Sequence, residues 1–226
     1  MEKLGKKFVG LLSGGLDSPV ASYVMMKQGF SGIVISFQTA EDPEKQNREK
    51  IEKICQHLCN LTGQALTLYY IPYTEIQDEF IKYAARKLTC LLCKRLMLRI
   101  ASKVAQDNKI SFILNGDILG EQASQTLDNL YAVQNVIQDV FVLRPLIGFE
   151  KLGVIHLAQD IGTYPLSSLP APGCTKNPKY PETHAKLKEL KKAENNFNYE
   201  KIVPELISKA EIVAFHPSKE SLAEEN

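Results

Sequence analysis

Six residues near the start of the chain, Ser13-Gly14-Gly15-Leu16-Asp17-Ser18, have the types and spacing to hold phosphate. They follow an apolar run over 8–12 of strand length and precede 19–26, which has helical periodicity. Pro19 suits a first helical turn, where its missing N–H costs nothing. Gly14 and Gly15 allow a sharp turn with exposed amides, and a helix N-terminus adds N–H donors and partial positive charge. Ser13 and Ser18 add hydroxyls, and Asp17 is placed to hold a magnesium ion on the phosphates. The bland alternative is a Gly-rich turn with Asp17 as the helix cap. The loop is neither Gly-x-Gly-x-x-Gly nor the Walker pattern, which ends in Gly-Lys-Ser/Thr.

A second constellation is made of thiols. Cys90-Leu91-Leu92-Cys93 is a C-x-x-C pair, and Cys174 stands 81 residues later. Three thiolates fit a 4Fe–4S cluster with one open iron. The alternatives are a redox dithiol, a zinc site completed by His184, or two buried thiols beside a turn. Lys94 and Arg95 follow directly, and their charge is expected to lower nearby thiol pKa values. Cys55 and Cys59, four apart in a helical stretch, read as small buried side chains.

The elements that must position these residues alternate in type. Apolar runs over 8–12, 32–37, 65–71, 111–115 and 140–143 read as strands. Helical patterns fill 19–26, 43–61, 74–83, 94–106, 122–136 and 150–160, with an interruption near Thr89-Cys90. Such alternation predicts an α/β fold, a doubly wound, parallel, five-stranded sheet. Ligands then bind beyond the C-terminal strand ends, near a switch point, where Ser13, Phe37, Gly116 and Arg144 all fall. Residues 1–163 read as the phosphate-loop domain. Residues 164–226 read as a Pro-rich loop carrying Cys174 and two helices, over 183–195 and 199–209, packed on the same domain. The acidic end over 218–226 is expected to fray.

Bulk properties narrow the setting. The 226 residues are 44% hydrophobic, enough for a good core. No run of about 18 apolar residues exists and the first residues lack a signal-peptide core, so a cytoplasmic protein without a membrane span is expected. Five cysteines are then thiols or ligands rather than disulfides. A net charge of +1 lacks a strongly basic footprint, so affinity for RNA would come partly from elsewhere.

The loop resembles the pyrophosphate loop of enzymes that split ATP into AMP and pyrophosphate to adenylate a carbonyl-type oxygen. Further matches follow in order: Thr89-Cys90-Leu91-Leu92-Cys93-Lys94-Arg95-Leu96-Met97-Leu98-Arg99, then Asn115-Gly116-Asp117-Ile118-Leu119-Gly120-Glu121-Gln122-Ala123-Ser124-Gln125-Thr126. Leu143-Arg144-Pro145, Lys151, Ile161-Gly162-Thr163 and Cys174 ahead of Pro181-Glu182-Thr183 complete them. From about residue 8 to 215 the chain resembles the catalytic domain of the tRNA 4-thiouridine synthetase family, sulfurtransferases also linked to thiamine biosynthesis.

That resemblance implies an adenine nucleotide alpha-hydrolase-like fold with a short helical C-terminal extension, and ATP with magnesium in the cleft. A uridine O4 in tRNA would attack the α-phosphate, and a persulfide or cluster-bound sulfide would then displace AMP. It implies three catalytic residues: Asp17 through magnesium, Lys151 neutralising phosphate charge, and Cys174 carrying sulfur. By position Leu11, Leu12, Ser13, Gly14, Gly15, Asp17 and Ser18 would line the nucleotide, with Ser36, Phe37, Lys94, Gly116 and Gln125. Leu11, Leu12 and Phe37 otherwise read simply as core. Cys90, Cys93 and Cys174 would ligate a cluster, as in archaeal-type members. Ser36 and Lys94 stand where the family has His and Arg.

Family members carry an RNA-binding region before this domain, whereas here the loop begins at residue 13. A separate RNA-binding subunit, or a homodimer, is therefore expected to capture tRNA, and a donor protein or sulfide to supply sulfur. A second reading is a pyrophosphate-forming ATPase acting on a small molecule or sulfur-carrier protein, thiamine-related and without RNA. A third is a nucleotide- or cluster-binding regulator with no turnover.

Overall fold

A computed structural model describes residues 5–39, 44–170 and 173–218. The first half runs β1 (Lys7–Leu11), α1 (Asp17–Met26), β2 (Ser31–Gln38), α2 (Glu44–Thr62), β3 (Leu66–Pro72), α3 (Thr74–Tyr83) and α4 (Thr89–Asp107). The second half runs β4 (Phe112–Leu114), α5 (Leu127–Gln134), β5 (Phe141–Leu143), α6 (Lys151–Asp160), α7 (Tyr164–Ser167), α8 (Leu187–Glu194), α9 (Tyr199–Ser208) and β6 (Glu211–Phe215). Among the described residues no helix is long and apolar enough to cross a membrane.

Successive strand residues face opposite sides of a sheet. Phe8, Val34 and Leu68 point into one apolar layer, closed by Met26 of α1 and Ile51, Ile54, Cys55 and Cys59 of α2. Val9, Ile33, Ile35 and Ile71 point into the other, closed by Phe80, Leu92 and Leu96 of α3 and α4. Both faces are covered, which is why the strands are apolar without alternation. The strand order is β5-β4-β1-β2-β3-β6. The crossovers leave β1 in opposite directions, so the switch point lies between β1 and β4.

Five expectations are corrected. The sheet has six strands, not five: β6 pairs antiparallel with β3, from Leu66↔Phe215 to Tyr70↔Glu211. The C-terminal extension is therefore not helices alone. It covers the backbone edge that β3 would otherwise leave unpaired. The break in the helical region falls before Thr89, at a single 3-10 turn over Arg86–Leu88, so Cys90 and Cys93 ride the first turns of α4. The pattern over 122–136 divides into a 3-10 turn, Ala123–Gln125, and α5, whose N-terminus Thr126 caps by accepting from the Asn129 amide. The helix expected over 183–195 is likewise shorter, starting at Leu187. The ends expected at 43 and beyond 218 lie outside the described residues.

Lys94 and Arg95 are neighbours in sequence but leave α4 about 100° apart. Arg95 is turned away from the thiols and buried, with Nε and one terminal nitrogen 2.8 and 2.6 Å from the Glu194 carboxylate. Arg99 shares that carboxylate, and Arg95 also donates to the Ala132 carbonyl. This network fastens α8 to α4. Burial works to raise the Glu194 carboxyl, but the arginine hydrogen bonds prevail and hold it below the ordinary range. Breaking a buried pair from one side costs about 3 kcal/mol or more. Glu194→Ala should thus lower the unfolding midpoint by roughly 6–12 °C in a thermal scan. A carboxyl depressed in the folded state stabilises above its unfolded pKa and loses that contribution as pH falls through the folded value. Glu194→Gln should accordingly flatten the acid limb of stability against pH, below the ordinary glutamate range.

Candidate active site

The loop from β1 into α1 is built from its own serines. The Ser13 amide donates to Ser18 Oγ at 2.9 Å, the two hydroxyls lie 3.0 Å apart, and Ser18 Oγ donates to the Ser13 carbonyl at 3.1 Å. The helix N-cap position is Leu16, with no side-chain cap bond. Asp17 is the first helical residue and meets Lys151 Nζ at 2.6 Å, which sets aside the reading of Asp17 as a cap. Lys151 opens α6, and Glu121 lies 3.7 Å from the same ammonium.

Backbone meets backbone at Gly116. A Cβ there would lie 2.9 Å from both Cα and N of Ser18, so a side chain would force the segment after β4 away from α1. The next residue, Asp117, is 3% exposed and collects Lys94 Nζ at 3.0 Å, Gln125 Nε2 at 3.2 Å and Arg144 Nε at 3.3 Å. Burial tends to raise its carboxyl, but Lys94, Arg144 and the Gln125 hydrogen bond outweigh that and keep it below the usual range.

The thiols sit across the same opening. Gln77 Nε2 lies 3.5 Å from Cys174 Sγ and 3.9 Å from Cys93 Sγ, while Cys90 Sγ reaches Asn177 Oδ1 at 3.6 Å. Arg86 donates to the carbonyls of Lys176 and Asn177 and to Thr89 Oγ1, clasping the Cys174 segment to the start of α4. Burial pushes the Cys93 thiol up to about 12 against the Gln77 hydrogen bond. Burial also raises Cys90, aided by Cys174 and opposed by Lys94 and Arg86. The expected lowering is therefore reversed.

The expected metal set does not come together in this arrangement. Among the described residues no three His, Cys, Asp or Glu side chains are placed to hold a metal ion. Gln77 holds an N–H donor against two of the sulfurs, where ligands would face a cation, and Cys90 turns to Asn177. His184 is exposed and bonded to Asp128 instead.

One cavity of about 660 Å³ gathers both constellations. All twelve residues expected to line a nucleotide border it: Leu11 to Gly15, Asp17, Ser18, Ser36, Phe37, Lys94, Gly116 and Gln125. So do Cys90, Cys93 and Cys174, with Lys151 joined to it through Asp17. A groove of about 770 Å³ lies elsewhere, on the Arg95 side of α4, but Arg95, Arg99 and Glu194 spend their charges there on one another.

Residues 4–199 match the family model described as "Thiamine biosynthesis protein (ThiI)". The chain belongs to this family. A probable tRNA sulfurtransferase of Caldanaerobacter subterraneus subsp. tengcongensis is 37% identical over 195 residues, 85% of this chain and 51% of the relative. The chain thus spans about half the length of the curated relatives it matches. The crystal structure of a 4-thiouridine synthetase–RNA complex with bound ATP superposes with TM-score 0.86 at 31% identity, covering 93% of this chain and 55% of that one. NMN synthetase from Francisella tularensis, at TM-score 0.55 and 16% identity over 96% of this chain and 80% of its own, shares the fold alone.

Within this ThiI-family cleft, sequence reasoning overlooked Gln77, Arg86, Asn47 and Lys50, all on or beside helices whose periodicity gives no hint that a polar residue turns inward. Asp117 stood in a matched block but was given no role. Its neighbour offers a direct check of the cleft's construction. Gly116→Ala should destabilise the chain by about 1–3 kcal/mol through overpacking against Ser18. Gly148→Ala, where an added Cβ meets nothing within 4 Å, should stay within about 0.5 kcal/mol in the same denaturant titration.

Proposed function

We propose that the chain is an ATP-dependent sulfurtransferase acting on a tRNA uridine. The observation that carries this reading is that the serine-glycine phosphate loop and three thiols open into one cavity. Uridine O4 attacks the α-phosphorus of ATP, the bond to the bridging oxygen breaks, and pyrophosphate leaves. Adenylation converts a poor oxygen leaving group into a good one. Lys151, at the mouth of α6, offsets developing phosphate charge. Asp17 is the loop carboxylate that would hold magnesium, a hard cation suited to oxygen ligands beside phosphates.

Sulfur arrives on Cys174 as a persulfide: the Cys174 thiolate attacks the outer sulfur of a donor protein's persulfide, and the donor's own cysteine thiolate leaves. Its terminal sulfur attacks C4, the C4–O bond breaks, and AMP leaves. A second thiol then attacks Cys174 Sγ, releasing the thiolated base and leaving a disulfide for a cellular dithiol to reduce. Cys90 suits that step better than the more deeply buried Cys93. The five cysteines are all free, which fits a reducing cytoplasm. With a net charge of +1, the chain leaves much of RNA capture to a separate RNA-binding partner or a second copy of itself.

The family description favours one other reading, activation of a small molecule or sulfur-carrier protein in thiamine synthesis. Pyrophosphate release separates them. Release is expected with tRNA at low salt, and release only with a carrier protein would favour the second reading. Asp17→Asn should slow release about 100-fold or more. Cys174→Ser should leave release within about threefold of the parent yet form no thiolated base, measured by nucleoside chromatography with a sulfur donor present.

A further inference from the structure

Of the three cations among the described residues that line the cavity, Lys94 and Lys176 come with carboxylates, as do Arg144 and Lys151 beside it. Lys94 and Arg144 face Asp117, Lys151 faces Asp17, and Lys176 faces Asp78. Lys50 differs. It lies on α2, lines the cavity and is 5% exposed, yet no carboxylate among the described residues faces its ammonium. Its Nζ donates instead to the Leu169 carbonyl at 2.9 Å. Burial without a counter-charge pushes the Lys50 ammonium down, as expected for a cation taken from water unpaired.

The stem of Lys50 runs along the phosphate loop. A Cβ on Gly14 would lie 3.3 Å from both Cδ and Cε of Lys50, and 3.0 Å from Asn47 Oδ1 one turn earlier. Glycine at that position is what allows α2 to bring a lysine against the loop. An anion held on the loop amides would therefore lie beside a buried ammonium that lacks one.

We propose that Lys50 is a substrate-contacting residue that binds the β- and γ-phosphates of ATP, the part that leaves as pyrophosphate. The proposal rests on the ATP reading above. Lys50 exchanges the Leu169 carbonyl for phosphate oxygens when nucleotide enters, and it steadies the charge that builds on the departing pyrophosphate. The α-phosphate and nucleoside fall to other groups: the strand ends at Leu11, Phe37 and Gly116, and Lys151 through Asp17.

Calorimetric titration of the whole chain with magnesium-ATP, pyrophosphate and AMP in turn tests this. Lys50→Met should weaken ATP and pyrophosphate about tenfold or more, the scale of a charge-assisted hydrogen bond, and leave AMP within about threefold. Lys50→Arg should recover most of the loss. Lys50→Gln, which keeps a donor for Leu169 without the charge, should behave as Lys50→Met and decides the matter if that variant does not fold. Equal weakening of all three ligands, or unchanged ATP and pyrophosphate, would overturn the proposal. Absence of thiolation by the parent chain, with this binding pattern intact, would overturn the sulfurtransferase reading alone.

Discussion

Asp117 is an ion held out of water, and three side chains from three different elements converge on it: Lys94 from α4, Gln125 from the turn before α5 and Arg144 from beyond β5. A buried carboxylate without partners would be too costly to keep charged. With them it stays ionised and ties together the segments that flank the switch point. Gly116 immediately before it lies backbone-to-backbone on the first turn of α1. The two residues together set the width of the cleft. One does so by electrostatics, which fixes where the side chains meet, and the other by the lack of a Cβ, which fixes how near the main chains come.

The cleft so formed has two chemically different ends. At one, the hydroxyls of Ser13 and Ser18 bond each other, the Ser13 carbonyl and the Ser13 and Gly15 amides, fixing the turn that presents the N-terminus of α1 to an anion. At the other, burial keeps the Cys90 and Cys93 thiols protonated, and the Gln77 amide rather than a metal-ligand set faces Cys93 and Cys174. Between them lie Leu11, Phe37 and Met97, apolar surface suited to a flat base. On the proposed reading, activation and sulfur chemistry share one cavity without the thiols meeting the phosphates.

How much of this was legible in the sequence depended on the range of the contact involved. Five parallel strands declared themselves because both sheet faces are covered and their residues had to be apolar. Residues 211–215 did not, since a five-residue edge strand beginning at an exposed glutamate differs little from a polar tail until β3 is seen to need a partner. The serine-glycine loop was legible because its chemistry is local, with Ser13, Gly15 and Ser18 bonding to one another within six consecutive residues. Arg95 was misread, since adjacency to Cys93 says nothing about the helix face on which a guanidinium leaves. Gln77 and Arg86 were invisible for a related reason: what they hold lies 97 and 90 residues away.

The placement of Cys174 depends on those long-range contacts more than on its own neighbours. Its position comes from Arg86 gripping the carbonyls of Lys176 and Asn177, and from Lys176 bonding Asp78 and the Thr74 carbonyl. Each anchor sits on α3 or the turn after it, the same short stretch that supplies Gln77. Moving that stretch would shift Cys174 relative to Cys90 and Cys93 while leaving the phosphate loop, carried by β1 and α1, where it is. The two ends of the cavity are thus built on different parts of the fold, the thiol end on α3 and the turn after it and the phosphate-loop end on β1 and α1.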